Sequence, residues 1–217
     1  MSHHPMLEAA LRRVIPEARL ESIVLPGVPE LALSLLNADY PQGELSPEQV
    51  EQVMSNPLYW VFCWASGQVL ARHLFEHPDL VRDKRVVDFG SGCGIVAIAA
   101  ASLGAREVVA CDTDPLALEA TAMNARANRV DLQLSPDFEQ IGGEIDLILV
   151  ADVLYDRTNF PWLPRFVSRA SQVLVADSRV KSFDFPPYRA VGRASSHTLP
   201  DLDESPEFRD VRLYQAP

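Results

Sequence analysis

The chain has 217 residues (24.0 kDa), enough to bury a core in one domain, and its 47% hydrophobic and 23% charged content is that of an ordinary globular protein. Its formal net charge of −11 argues against a nucleic-acid backbone as principal partner, because phosphate binding needs clustered Lys and Arg. No apolar run reaches the length of a membrane span, no basic-then-apolar leader is visible, and Cys63, Cys93 and Cys111 lack both metal-ligand spacing and a disulfide pattern. The expectation is a cytoplasmic protein with reduced thiols, no metal and no membrane.

Met6 to Arg13 reads as a short helix, followed by extended segments around Pro26 and Gly27. In "ELALSLL" the alternation of Leu31, Leu33 and Leu35 with smaller residues has the period of a strand. Ser46 as N-cap and Pro47 at the first helical position predict a helix start there. Residues 1–56 are expected to form a small α+β extension, and residues 57–217 the main domain. The latter opens on "NPLYWVFCWASGQVLARHLFEHPDL", a long helical pattern with an interruption near Gly67.

From residue 85 the rhythm becomes strand, helix, strand. "RVVDFG", "EVVACD", "DLQLS", "EIDLILVAD" and "QVLVAD" read as strands. The helices between them cover "IVAIAAASL", closed by Gly104, then "PLALEATAMNARAN", opened by Asp114 and Pro115, and "FPWLPRFVSRA". "RAVGRASSHTL" and "FRDVRLYQ" form a final antiparallel pair. Such alternation predicts an α/β fold, a doubly wound and mostly parallel Rossmann-like sheet of seven strands with an antiparallel last strand. Its ligand belongs beyond the carboxyl ends of the strands.

"VVDFGSGCGI" is the segment that narrows the ligand. A dinucleotide fingerprint would run G-x-G-x-x-G, yet Gly90, Gly92 and Gly94 alternate strictly and Ile95 stands where the last glycine should be. Asp88, two residues before the first glycine, would repel a pyrophosphate but could pair with a cationic ligand. Asp112 ends the second strand, where a carboxylate can accept both hydroxyls of a ribose. A nucleoside with a positive charge and no phosphates meets both conditions, and S-adenosylmethionine is such a molecule. The alternative, that the two acids only cap strand ends around a tight turn, leaves their shared βαβ unit unexplained.

"VVDFGSGCG", "ACDTDPLA", "LILVADVLYD" and "NPLYWVFCWASGQVLARHL" together resemble the seven-strand methyltransferases that use S-adenosylmethionine. Within them, the aromatic segment and "DVLYD" resemble the branch of the electron transfer flavoprotein β-subunit lysine methyltransferases and its bacterial nicotinamide N-methyltransferase-like relatives. The resemblance covers residues 57–156 well and the C-terminal third only in outline. It implies that Trp60, Trp64 and Gly67 wall the methionine end of the cofactor, where aromatic faces suit a sulfonium. It also implies that Asp152 and Tyr155 hold the methyl acceptor, with Asp152 at the cofactor-facing rim. A carboxylate there can bind and orient an incoming ammonium, and a tyrosine hydroxyl can direct the amine lone pair.

Methyltransferases of planar amide or ring nitrogens carry Pro-Pro and an aromatic after the acid; "DVLY" has no proline, which favours an aliphatic amine. The expected acceptor is a lysine of a protein such as the electron transfer flavoprotein β-subunit. A small amine is the alternative, and a cofactor-binding chain without turnover the rival class. Asp137 is the candidate acceptor for the adenine amine, with Ser135 and Phe138 competing for that place. His73, His77 and His197 lack a partnered acid or cysteine in the pattern and read as surface or packing residues, and "SFDFPPYRA" reads either as a wall of the substrate entrance or as an inert connection.

Overall fold

The computed structural model describes residues 4–40, 57–180 and 183–217, so the helix expected at Ser46 and Pro47 lies outside the described residues. Helix α1 (Pro5–Val14) precedes a hairpin of β1 (Leu20–Leu25) and β2 (Val28–Leu36). Next come α2 (Ala65–Glu76), β3 (Arg85–Phe89), α3 (Ile95–Ser102), β4 (Glu107–Cys111) and α4 (Pro115–Ala127). The chain continues through β5 (Gln133–Ser135), β6 (Ile145–Ala151), α5 (Trp162–Arg169), β7 (Ala170–Asp177), β8 (Arg189–Ser195) and β9 (Asp210–Ala216).

The main sheet has seven strands in the order β5-β4-β3-β6-β7-β9-β8. The first five run parallel, β9 runs antiparallel to β7, and β8 antiparallel to β9. Parallel strands must be covered on both faces, and β3 shows how the sequence arranges it. Val86 packs with the α2 and α3 residues Val69 and Ala97 on one face, and Val87 with Phe138 and Phe166 on the other. No helix among the described residues is long and apolar enough to cross a membrane.

The long helix expected before the sheet is broken, and the break falls before Gly67 rather than at it. Tyr59–Val61 make a single 3₁₀ turn, Phe62 is extended, and Cys63 pairs with Leu199 like a strand, its N–H donating to the Leu199 carbonyl at 2.7 Å and its carbonyl accepting at 2.9 Å. Gln68 secures the pairing, its side-chain amide donating to the carbonyls of Cys63 and His197. Only then does α2 begin, with Trp64 as its N-cap, and Pro78 prevents its continuation. Trp60 and Trp64 therefore do not share a helix face. "SFDFPPYRA" is also placed differently. Phe183 stacks on Tyr214 at 4.0 Å, and the Tyr188 hydroxyl donates to the Leu163 carbonyl, so residues 183–188 pack onto the core and line no part of the cavity.

The hairpin is tied to the main domain by two side chains of α4. Asn124 is fully buried; its oxygen accepts from Ser34 N–H at 2.8 Å and its amide donates to the Cys93 carbonyl at 2.9 Å. Asn128 both accepts from and donates to the Ala32 backbone. These amides satisfy the outer edge of β2, which would otherwise stand unpaired. Leu25, Leu33 and Leu35 of the hairpin join the same core as Val86 and Ile98. Replacing Asn124 with Ala strands a part-buried donor, Ser34 N–H, and a buried acceptor, the Cys93 carbonyl, at up to about 1–3 kcal/mol each. Asn124→Ala should therefore lower unfolding stability by about 2–4 kcal/mol, read from denaturant midpoints, whereas the exposed Glu119→Ala should leave it nearly unchanged.

Candidate active site

At the carboxyl edge of the parallel strands lies a cavity of about 680 Å³. That is within the range of small-molecule sites. The loop after β3 forms its floor. Gly90 and Ser91 donate to the Cys111 carbonyl, at 2.8 and 3.1 Å, and Gly92 N–H donates to Asp112 Oδ2 at 2.9 Å. Gly90 and Gly92 have φ of +75° and +53°, conformations that glycine adopts without penalty. Their two missing side chains mean different things. A Cβ on Gly90 would meet Val153 at 2.6 Å, whereas one on Gly92 would meet nothing and would project into open space. The backbone at Gly92 is thus bared toward the cavity.

Asp112 lines the cavity with each carboxylate oxygen accepting one backbone N–H, Oδ2 from Gly92 and Oδ1 from Asp114 at 3.0 Å. A carboxylate has about four lone-pair sites, so each oxygen retains one for a ligand hydroxyl. Burial raises its pKa despite those two donors. Asp137 also lines the cavity; it caps the turn over Phe138–Gln140, accepting from Glu139 N–H, while Phe138 supplies an apolar wall. Ala117 faces the same space from α4.

Asp152 follows β6 with a φ of +50°, uncommon for a residue with a side chain. Its backbone N–H donates to the Ala176 carbonyl, and its carboxylate collects three donors. Ser66 supplies its N–H at 2.9 Å and its hydroxyl at 2.6 Å, and Ser178 its hydroxyl at 2.9 Å. Burial raises the Asp152 pKa, and the serine donors and the Arg179 charge oppose the rise. Beside it, at the mouth, Tyr155 is 54% exposed and Tyr59 is 43% exposed, with ring centroids 5.6 Å apart. Partial burial, then the neighbouring Tyr59, pushes the Tyr155 hydroxyl up to about 12, so it stays a protonated donor at neutral pH. Trp64 stands against Tyr59 and donates its indole N–H to the Tyr59 carbonyl. Trp60 lines the cavity with one edge while the rest of its ring is buried against α4.

Of the residues expected from the sequence, Trp60, Trp64, Gly90, Gly92, Asp112, Asp137, Asp152 and Tyr155 converge on this cavity. Asp88, Gly67 and Gly94 stand behind it. Successive side chains of a strand alternate in direction, so Phe89 faces the cavity and Asp88 turns to the other side. There its Oδ2 accepts from Ala97 N–H at 2.9 Å in the first turn of α3. Gly67 lets α2 approach α3, since a Cβ would meet Ile95 at 3.0 Å, and Gly94 caps α3 against Thr121. Ser66, Ser178, Arg179 and Glu204 were not anticipated. Arg179 carries the one positive charge among the described residues lining the cavity and pairs with Glu204. Ser178 and Arg179 directly follow β7, on the same carboxyl edge as Asp112 and Asp152, and that edge was the signal available to find them.

This arrangement fits S-adenosylmethionine: an acid for the ribose, a bared loop beside it, and a wall richer in carboxylates than in cations for a sulfonium and an ammonium. The family model of ribosomal protein L11 methyltransferase (PrmA) matches residues 73–161. The chain is 35% identical to the human electron transfer flavoprotein β-subunit lysine methyltransferase, over 69% of this chain and 59% of that protein. It is 34% identical to the Xenopus laevis protein of the same description, over 84% of this chain and 77% of that one. Magnesium protoporphyrin IX methyltransferase from Synechocystis, solved with bound S-adenosylhomocysteine, has the same fold at a TM-score of 0.53 and 15% identity, over 80% of this chain and 88% of that one.

Fold and site are those of the S-adenosylmethionine-dependent methyltransferases. More narrowly, the chain belongs to the electron transfer flavoprotein β-subunit lysine methyltransferase family, and it spans 59% of the human member's length.

Asp88 gives the fold a pH signature. Burial, opposed by the Ala97 N–H, raises its pKa to about 7. The folded state thus binds this proton more tightly than the unfolded state, whose carboxyl titrates near ~3.9. Its stabilising contribution is complete below about pH 4 and is lost as pH rises through about 7, a swing on the order of 4 kcal/mol. Asp88→Asn keeps an acceptor for Ala97 N–H and removes the titration. The stability difference between variant and wild type should therefore shift in favour of the variant from pH 4 to pH 8; a pH-independent difference would contradict it.

Proposed function

We propose that this chain transfers a methyl group from S-adenosylmethionine to lysine ε-amines of a protein. The relatives' names point to the β-subunit of electron transfer flavoprotein as the acceptor. The observation that carries the reading is the pairing of a braced, half-buried carboxylate, Asp152, with an exposed aromatic rim of Tyr59 and Tyr155 at the cavity mouth. An acceptor held on a large body can present a long aliphatic amine through such a rim.

When bound, S-adenosylmethionine supplies a methyl carbon already activated by its sulfonium. The protein therefore aligns a neutral nitrogen with that carbon, and orientation of this kind can contribute roughly 7–11 kcal/mol of the barrier. Asp112 fixes the ribose and Asp137 takes the adenine amine. Trp60 and Trp64 close the methionine end. Asp152 receives the incoming ammonium, and the Tyr155 hydroxyl hydrogen-bonds the amine and directs its lone pair. A lysine with an ordinary pKa near ~10.4 must lose a proton before it reacts, and the proton leaves through the open mouth to water. The cytoplasm is the proposed compartment, in keeping with three free, buried thiols. Neither nucleic acid nor membrane enters this reading.

The test is to incubate the protein with methyl-labelled S-adenosylmethionine and an extract of its host. Label in a discrete protein band, stable to conditions that hydrolyse esters, is the expected result; label confined to small molecules would move the acceptor to a small amine. With the acceptor in hand, Asp152→Asn and Tyr155→Phe should each lower turnover, the former by about 10²-fold, as loss of alignment does. Unchanged turnover in both would remove their assigned roles.

A further inference from the structure

The last turn of α2 carries "HLFEH", residues 73–77. The sequence pattern offered His73 and His77 no acid, but helical geometry does, because residues three and four apart share a face. In the structure the ligating atoms of His73, Glu76 and His77 all lie within 4.8 Å of one another, and the two imidazole rings are 4.5 Å apart. We propose that these three side chains form a binding site for a divalent transition-metal ion of the zinc class.

The donor set suits that class. Two imidazoles and one carboxylate match zinc, copper(II) or nickel(II), whereas magnesium and calcium require sites made of oxygen. Ligands about 2.0–2.2 Å from a tetrahedral zinc ion stand about 3.3 Å from each other, so side-chain rotation alone draws these three onto one ion. Competition is weak: the Arg72 guanidinium lies 3.8 Å from Glu76 in an exposed pair. The position also favours a cation. His77 caps the carboxyl end of α2, where the helix dipole presents partial negative charge. Three protein ligands leave the fourth position to water.

The site is distinct from the cavity. None of the three residues lines it, and Ser66, which holds Asp152, is at the opposite end of α2, about 10 Å from His73 along the axis. Metal binding can therefore be read without methyl transfer.

The chain, stripped with a chelator, would be titrated with zinc alone by calorimetry and with cobalt by absorption. One ion per chain at micromolar affinity is expected, together with a zinc-dependent rise in melting temperature. His77→Gln, at an exposed position, should weaken binding at least about tenfold, the scale on which even supporting residues of metal sites act. It should also abolish the thermal shift, and Glu76→Gln should weaken binding as well. His4→Gln, remote from α2, should bind as the wild type does. No uptake by the wild type, or equal uptake by His77→Gln, overturns the proposal.

Discussion

The carboxylate of Asp152 is the point at which three separate parts of the chain are forced into register. It leaves β6 in a left-handed backbone conformation. Such a conformation costs a side-chain-bearing residue about 1–2 kcal/mol, and it persists only where surrounding bonds fix it. Here they come from Ser66 at the start of α2 and from Ser178 after β7. The sheet sets the positions of β6 and β7, and the two Ser66 bonds tie the first turn of α2 to the same acid. Removing that acid would loosen the wall as well as the chemistry.

Around this point the charges are unequal. Asp112, Asp137, Asp152 and Glu204 face the cavity, with Arg179 as the opposing cation among the described lining residues. Asp177 lies close behind, its pKa pushed up to about 6 by burial although it accepts from the Arg179 and Val180 backbone. An enclosed group of carboxylates is costly to keep ionised. A ligand that brings a sulfonium and an ammonium relieves that cost, and a phosphate-bearing nucleotide would add to it. The wall thus disfavours a dinucleotide on the same side as the loop does, where Ile95 replaces the last glycine of the dinucleotide fingerprint.

The βαβ succession from residue 85 to 177 was legible because its signals are local. Apolar runs of strand length alternate with capped helices, and Asp114 with Pro115 opens α4 as expected, accepting from Leu116 N–H at 2.8 Å. The segment from Tyr59 to Trp64 was misread because its conformation is set elsewhere. Its aromatic spacing is that of a helix, but a pairing with Leu199, far along the chain, holds Cys63 extended. Asp88 was misplaced for a subtler reason. Its distance along the sequence from the glycines is right for a ligand contact, but strand alternation turns it to the opposite face from Phe89. The partners of Asp152 come from two other elements and could not be read from "DVLYD" alone.

The most direct test of the account is a calorimetric titration of the purified chain with S-adenosylhomocysteine, with NAD in parallel and with an Asp112→Ala variant beside the wild type. The account predicts one equivalent of S-adenosylhomocysteine bound by the wild type and no measurable NAD. It also predicts affinity reduced about 10–100-fold in the variant, as the loss of charged hydrogen bonds to a ribose implies. Tight binding of NAD with none of S-adenosylhomocysteine would contradict it.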